Sequence, residues 1–460
     1  MSRVGELFWV RKVCVDFAPT AAQNRAMQNS IDADFENAEK FLYELRNAGS
    51  KFSLDRIKAL CAALGNPQDA YPEIHVAGTN GKGSVCALLE SVLRASGLKV
   101  GLFTSPHLTY LGERVQVGRV PIPKPELLRL VGRVRSVCDA VFDASDIDNY
   151  PSFFEFMTAV CFVYFAEMKV DVAVVEVGLG GRLDSTNIIA PACCVITSIG
   201  LDHTDYLGET LEKIAFEKAG IIKESVPVVA GFLPDAAMSV VREKAEEKSA
   251  PLYEVSDFFG EGNMPESALA GRYQRRNAAV AKLCLKVLKG LGGIFSGIDE
   301  ASINAGFARV QWAARWQEIA LKNGATLILD ASHNPEGARA LDENLADLLA
   351  KSGGKKPVIC VGVLGRERAS ALLKVVRKYA ARVVLLVPNQ PRALGFEELE
   401  ELLGGGVPAV RARVGEVFCR GGCALVGAGE VVVSTGSIYL AGEVLAALRG
   451  GAGDGLSDVI

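Results

Sequence analysis

The stretch IHVAGTNGKGSVCALLESVLRASGLKVGLF, Ile74 to Phe103, decides the fold. Apolar 74–77 reads as a buried strand, glycines 78, 81 and 83 as a turn, 84–96 as a helix and 99–103 as a second strand. Strand, helix and strand in that order make a βαβ unit, so the sheet is expected to be parallel. The turn HVAGTNGKGS, His75 to Ser84, has the parts of a phosphate cradle. Its glycines let backbone N–H groups point inward, Lys82 can reach β and γ phosphates, and the helix N-terminus favours an anion. The Ser84 hydroxyl is placed to meet a magnesium ion. Gly83 separates Lys82 from Ser84, so the spacing is not that of G-x-x-x-x-G-K-[ST]. A plain glycine-rich turn is the alternative, and the lysine and serine together favour the phosphate. Nucleotide binding follows from these residues; the reaction does not.

Upstream, residues 1–26 lack periodicity and read as a ragged extension ahead of a second methionine, Met27. Phe35, Ala38, Phe41, Leu42 and Leu45 then recur at helical spacing, behind possible caps Asp32 and Asp34 and before Gly49. Ser53 is placed to cap a second helix that Gly65 stops. Downstream, 170–177 and 192–198 read as buried strands ending in polar, glycine-bearing loops, where open α/β sheets hold ligands. Arg119 to Pro125, with three prolines, reads as an exposed connection. After Trp312 the alternation restarts, with strands at 326–330, 357–362, 383–387 and 431–434. The fold class expected is α/β: a P-loop ATPase-like domain over 27–311, its parallel-rich sheet flanked by helices, and a smaller Rossmann-like domain over 312–460. The Gly-rich tail after Arg449 reads as disordered.

Composition narrows the function. At 460 residues, length alone suggests about three domains, with two large ones equally acceptable. With 49% hydrophobic residues and a net charge of −4, the chain is neither disordered nor suited to nucleic acid. No apolar run approaches the ~20 residues needed to cross a bilayer, and Arg11, Lys12 and Asp16 interrupt any signal-like core. The eleven cysteines are scattered without a C-x-x-C, and read as small hydrophobes in a reducing cytosol. Adjacent Cys193 and Cys194 should face opposite sides of a strand. A cytoplasmic monomer working on small molecules is expected.

Several polar groups sit where apolar ones belong. Glu176 ends an otherwise apolar strand, and a buried carboxylate is costly unless paired or metal-bound; Arg182 is the obvious pairing alternative. Asp202 and His203 follow the next strand, and oxygen ligands with one imidazole suit a magnesium ion beside phosphates. Lys218 shares a helix face with Leu211, Ile214 and Ala215, behind a cap at Thr210. A buried lysine must lose its charge, find an anion or be chemically altered. Carbamylation by CO2 would make it a metal-binding carboxylate, while the residues alone favour a snorkelling side chain. Asp330 ends a strand before Ala-Ser-His333-Asn334-Pro335, and Ser437 starts the last helix. Simple capping by Asn and Ser is their alternative.

HVAGTNGKGS, TSPHL (104–108), FFE (153–155), EVGLGGRLDSTN (176–187), LDHTDYLG (201–208), EKAGIIK (217–223), the 330–335 segment and GSIYLAGEV (436–444) occur in one order. That order resembles folylpolyglutamate synthase and the bifunctional dihydrofolate synthase/folylpolyglutamate synthase, within the Mur ligase superfamily. The likeness runs from about Met27 to Arg449. It implies that Thr79, Asn80, Gly81, Lys82, Gly83 and Ser84 hold ATP phosphates. It implies Ser105 and Glu176, with Ser84 nearby, at a first Mg2+, and His203 and carbamylated Lys218 at a second. Asn277, Arg315 and Asp330 match nucleotide contacts. Ser152, Phe153, Phe154 and Glu155, with Leu183, Asp184 and Ser185, match the pterin-side pocket, and His333 and Ser437 the incoming glutamate.

Two departures stand out. Ala313-Ala314 replace the family's Pro-Gly before Arg315, and Gly362 to Arg366 lack its Met and Lys-Asp pattern. The activity implied is ATP-driven addition of L-glutamate to tetrahydrofolate, with dihydropteroate a further acceptor, through an acyl phosphate. Rival readings are a Mur-type ligase acting on a UDP-muramyl peptide and a P-loop switch without ligase activity. The stretch between Met27 and the phosphate loop is too short for a separate uridine-binding domain.

Overall fold

The computed structural model describes residues 21–45, 53–146 and 149–450. The first sheet holds β1 (Glu73–Ala77), β2 (Val100–Phe103), β3 (Val115–Val117), β4 (Val120–Pro121), β5 (Val172–Glu176), β6 (Cys193–Ile196), β7 (Val228–Ala230) and β8 (Leu252–Glu254). Their order is β4-β3-β2-β5-β1-β6-β7-β8. The six strands from β2 to β8 in that order run parallel, and β3 and β4 add an antiparallel edge. The expected βαβ unit is present but wide, because β5 lies between β1 and β2. Ile74 pairs with Val174 on one side and Cys193 on the other, so β1 is central and buried along its whole length. A parallel sheet must be covered on both faces. Lys82–Ala95, Arg272–Leu291 and Glu300–Arg309 cover one; Phe153–Met168, Lys124–Val141, Leu211–Ala219 and Asp235–Glu247 cover the other. Cys193 and Cys194 do face opposite sides.

The second sheet is formed by β9 (Gln317–Ala320), β10 (Thr326–Leu329), β11 (Val358–Val361), β12 (Arg382–Leu385), β13 (Ala409–Arg411) and β16 (Val431–Thr435), while β14 (Phe418–Cys419) and β15 (Gly422–Cys423) make a separate hairpin. Its order, β13-β12-β11-β16-β10-β9, is parallel except for β9 at the edge. The chain crosses between sheets after the helix Glu300–Arg309.

The structure departs from expectation at several ends. The first helix begins at Ala21, so Asp32 and Asp34 lie inside it instead of capping it; Asp32 pairs with Lys124 at 2.8 Å. The second helix, Asp55–Ala63, has Leu54 and not Ser53 at its cap position; Ser53, one residue earlier, accepts the Asp55 N–H at 3.0 Å. The helix after the phosphate loop starts at Lys82, two residues early. Arg119 to Pro125 contributes β4 and the start of Lys124–Val141, more than a plain connection. Gly49, most of 1–26 and the tail beyond Gly450 lie outside the described residues. Among the described residues no helix is long and apolar enough to cross a membrane. The described cysteines are free thiols, buried except Cys419.

Candidate active site

The phosphate loop leaves the C-terminal end of β1 and is stitched to the loop that leaves β6. The Thr79 N–H donates to Ser198 O at 2.8 Å, Thr197 Oγ1 donates to Asn80 O at 2.7 Å, and the Thr79 hydroxyl bridges to Gly200. Gly78 has φ +153°, and a Cβ there would fall 1.9 Å from Thr197 Oγ1. Gly81 takes φ +85° at the helix start, where a Cβ would lie 2.4 Å from Asn277 Oδ1. Only glycine fits either place. Lys82 Nζ donates to Gly78 O at 3.1 Å and Thr79 O at 3.4 Å, so its ammonium is held over the loop. Ser84 is buried, and its hydroxyl accepts from Gln274 Nε2 at 3.2 Å.

Glu176 ends β5 beside that loop, only 4% exposed. Its Oε2 accepts the Ser105 N–H at 3.2 Å. Burial pushes its carboxyl up to about 7, against the pull of Lys82, Ser105 and Arg315. Arg182 instead pairs with Glu217 at 2.8 Å, which removes it as the partner of Glu176. His203 takes a left-handed conformation, φ 51°, and burial lowers its pKa to about 4 against the Asp202 carboxylate. It is therefore a neutral imidazole near pH 7, the form that can ligate a cation. Lys218 is buried as the helix periodicity demands, with Thr210 Oγ1 capping that helix. Nζ donates to Gly78 O at 2.9 Å. Desolvation, then the charge of Lys82, brings its pKa down to about 7.

From the second sheet, Asp330 leaves β10 and accepts the Trp316 N–H at 3.1 Å and the Ser332 N–H at 3.0 Å. Arg315 lies between two left-handed residues, Ala314 (φ 57°) and Trp316 (φ 53°). The alanine thus holds a backbone state that a glycine would take without strain. His333 Nδ1 is 2.9 Å from Ala331 O, and Ser437 Oγ caps the helix Ile438–Arg449 through the Leu440 N–H. Asn277 donates to Gln274 Oε1 at 2.9 Å.

One cavity of about 860 Å3 gathers Thr79, Asn80, Gly81, Lys82, Gly83, Ser84, Ser105, Glu176, His203, Lys218, Asn277, Arg315, Asp330, His333 and Ser437. The expected pterin-side residues are not among its lining. Ser152 and Glu155 form a capping box at the start of Phe153–Met168, and Glu155 also pairs with Arg56 at 3.1 Å. Phe153 stacks on Tyr43, and Phe154 lies against Gly178 and Phe103. Leu183 lies outside the cavity. Asp184 accepts from Leu179 N and Thr186 N, and Ser185 bonds Thr158 at 2.8 Å. These groups are spent on the scaffold, because a buried polar side chain must be satisfied wherever it sits. Arg368, Tyr273, Asn334 and Glu336 also line the cavity, and Gln274 bonds two of its lining residues, Ser84 and Asn277. Gln274 was within reach of sequence reasoning, three residues before Asn277 on one helical face; Arg368 carried no local signal.

Among the described residues no cluster of three or more His, Cys, Asp or Glu forms a metal-holding group. Magnesium needs none. It keeps several waters and binds through one or two carboxylates and substrate phosphates. The hydroxyls of Ser84 and Ser105, the Glu176 carboxylate and the neutral His203 imidazole suit it.

Residues 314–438 match the family model described as Mur ligase, glutamate ligase domain, and 155–261 match Mur ligase middle domain. The chain is 37% identical over 339 residues to the dihydrofolate synthase/folylpolyglutamate synthase of Bacillus subtilis, covering 69% of this chain and 77% of the relative. It is 36% identical over 423 residues to the folylpolyglutamate synthase of Lacticaseibacillus casei, covering 86% and 94%. Its structure matches that of Mycobacterium tuberculosis folylpolyglutamate synthase complexed with ADP, with TM-score 0.76 at 30% identity over 90% of this chain and 97% of that one. A phosphate cradle facing a second α/β sheet across one cavity, together with this kinship, makes the protein an ATP-dependent ligase belonging to the folylpolyglutamate synthase family of the Mur ligase superfamily.

Proposed function

We propose that the protein joins L-glutamate to tetrahydrofolate in an ATP-driven amide synthesis. The observation that carries this reading is the meeting, in one cavity, of the phosphate loop, three candidate cation or proton-handling groups (Glu176, His203, Lys218) and four second-sheet residues (Arg315, Asp330, His333, Ser437). The acceptor's carboxylate attacks the γ-phosphate, ADP leaves, and the glutamate amine displaces phosphate from the acyl phosphate. Lys82 and the loop N–H groups would hold the phosphates in line, which is most of what such a transfer requires. Asn277, Arg315 and Asp330 would grip the nucleotide. Ser437 and His333 would hold the incoming glutamate. Two magnesium ions would be held, one at Ser105, Ser84 and Glu176, the other at His203 and the carbamate of Lys218. When bound, they would neutralise phosphate charge. Lys218 is half deprotonated near pH 7, and the free amine is the form that reacts with CO2 to give the carbamate. Closing the two sheets on ATP keeps water from the acyl phosphate.

The acceptor is the finer question, and ADP release answers it. Release requiring both glutamate and tetrahydrofolate is expected; dihydropteroate is assayed alongside as a second acceptor. Release with a UDP-muramyl peptide, or slow hydrolysis indifferent to any amino acid, would overturn the reading.

Cation binding should depend on pH. Glu176 holds its proton more tightly in the folded protein than in an unfolded chain, up to about 7. A cation must displace that proton, so affinity should rise about tenfold per pH unit below 7 and level above it. Protonation of Lys218 below about 7 adds repulsion in the same direction. Calorimetry with magnesium and a non-hydrolysable ATP analogue, run on the wild type and Glu176→Gln from pH 5.5 to 8.5, separates the enzyme from the titration of the nucleotide. Parallel profiles for the two proteins would refute the assignment.

A further inference from the structure

Asp202 immediately precedes His203, and its side chain is only 8% exposed. Its carboxylate is held mainly from the other half of the molecule. Oδ1 accepts from Arg368 Nη2 at 2.7 Å, and Oδ2 accepts from Asn334 Nδ2 at 2.9 Å, with His333 Nε2 at 3.9 Å. Its remaining contact is local: Oδ1 also accepts the His203 N–H at 2.9 Å. One oxygen atom therefore joins an arginine in the first turn of the helix Arg366–Tyr379, which packs on the second sheet, to the backbone of a candidate cation ligand. Asn334 reaches further, donating to Asn80 Oδ1 at 3.1 Å, and Asn80 Nδ2 bonds Glu336. The loop carrying Asp202 is in turn bonded to the phosphate loop through Thr79, Asn80, Thr197 and Gly200.

We propose that Arg368 is a positioning residue which, acting through Asp202, couples docking of the second sheet onto the first to the placement of His203 and the phosphate loop. The role rests on the ligase reading above. A charge-assisted bond between two bodies, here half-buried on the arginine side and buried at the carboxylate, is short and directional. It forms only when the second sheet is seated, so the site is complete only in the closed molecule. Arg366 is engaged elsewhere, with Glu401.

The variants are Arg368→Gln, Arg368→Lys, Asp202→Asn and the Arg368→Gln/Asp202→Asn pair, all in the full chain. Arg368→Gln should lower kcat for glutamate-dependent ADP release by about 10- to 100-fold, as expected when a reacting geometry slips by about an ångström. KM for ATP and for glutamate should stay within about threefold. Lysine should recover part of the loss, and the double variant should be no slower than the slower single one. Unchanged kcat overturns the proposal. So does multiplication of the two single losses, or a raised glutamate KM at constant kcat, which would make Arg368 a substrate contact. Small-angle scattering of the ligand-free protein is independent of the chemistry: Arg368→Glu, placing like charges together, should enlarge the radius of gyration, and an unchanged radius refutes the latch. If the wild type released no ADP with glutamate, the ligase reading would fall, and scattering would still decide this one.

Discussion

Replacing Lys82 with alanine is expected to lower glutamate-dependent ADP release by about 10^3-fold or more, since charge stabilisation by one fixed cation is worth that much in phosphoryl transfer. The melting temperature should hardly move. Lys82 donates only to carbonyls of its own loop, at Gly78 and Thr79, and is not part of the core. Its electrostatic reach is longer. It is the leading charge that eases ionisation of Glu176, and the leading charge that depresses Lys218. Without it, Glu176 should hold its proton to a higher pH and Lys218 should stay protonated to a higher pH. Residual activity in Lys82→Ala should therefore need a more alkaline buffer for its optimum. A variant that kept turnover, or that unfolded with the loss, would count against the assignment. Circular dichroism melting and the ADP assay on one preparation distinguish the two.

Gly78→Ala should be among the most damaging added methyls of the described residues. The new Cβ would stand 1.9 Å from Thr197 Oγ1, at a φ of +153° that side chains rarely adopt. Backbone strain and overpacking together should cost roughly 2–5 kcal/mol. The Gly78 carbonyl also accepts both Lys82 and Lys218, so displacing it disturbs the two amines at once. Nucleotide affinity, followed by ADP-induced thermal stabilisation, should largely vanish. Adding Thr197→Ala relieves the overlap but not the φ, and it removes the bond to Asn80 O. The double variant is therefore expected to regain part of the stability and little of the nucleotide binding. Wild-type affinity in Gly78→Ala would show that the loop has room that the geometry denies.

The parts of this site that were legible share one property: the residue looks wrong for its place. Glu176 is a carboxylate in an apolar strand, Lys218 an amine on an apolar helix face, and the phosphate loop has glycines where a strand would continue. Each anomaly is local. For Ser152 to Glu155 the resemblance points to a pterin-side pocket, while the spacing Ser-x-x-Glu before an apolar run is also the signature of a helix cap, and the capping box is what these residues form in the structure. Asp184 likewise serves its own turn. The neighbours of β1 were not legible, because pairing β1 with β5 depends on how the whole sheet is threaded. Arg368 was hidden for the same reason on a larger scale: its partner lies 166 positions away, on the other sheet. The short strands β7, β8, β9 and β13, with three or four residues each, carry too little pattern to announce themselves.

Placing β5 between β1 and β2 frees most of the chain that joins β2 to β5 from duty at the catalytic end, the Ser105 turn excepted. Past the Ser105 turn and the edge strands β3 and β4, the stretch from Lys124 to Asp171 lies off the sheet before the chain returns at β5, so that excursion can lengthen, shorten or be exchanged while Lys82, Ser105 and Glu176 keep their separation. A lineage could retool what that excursion greets without touching the engine that burns ATP.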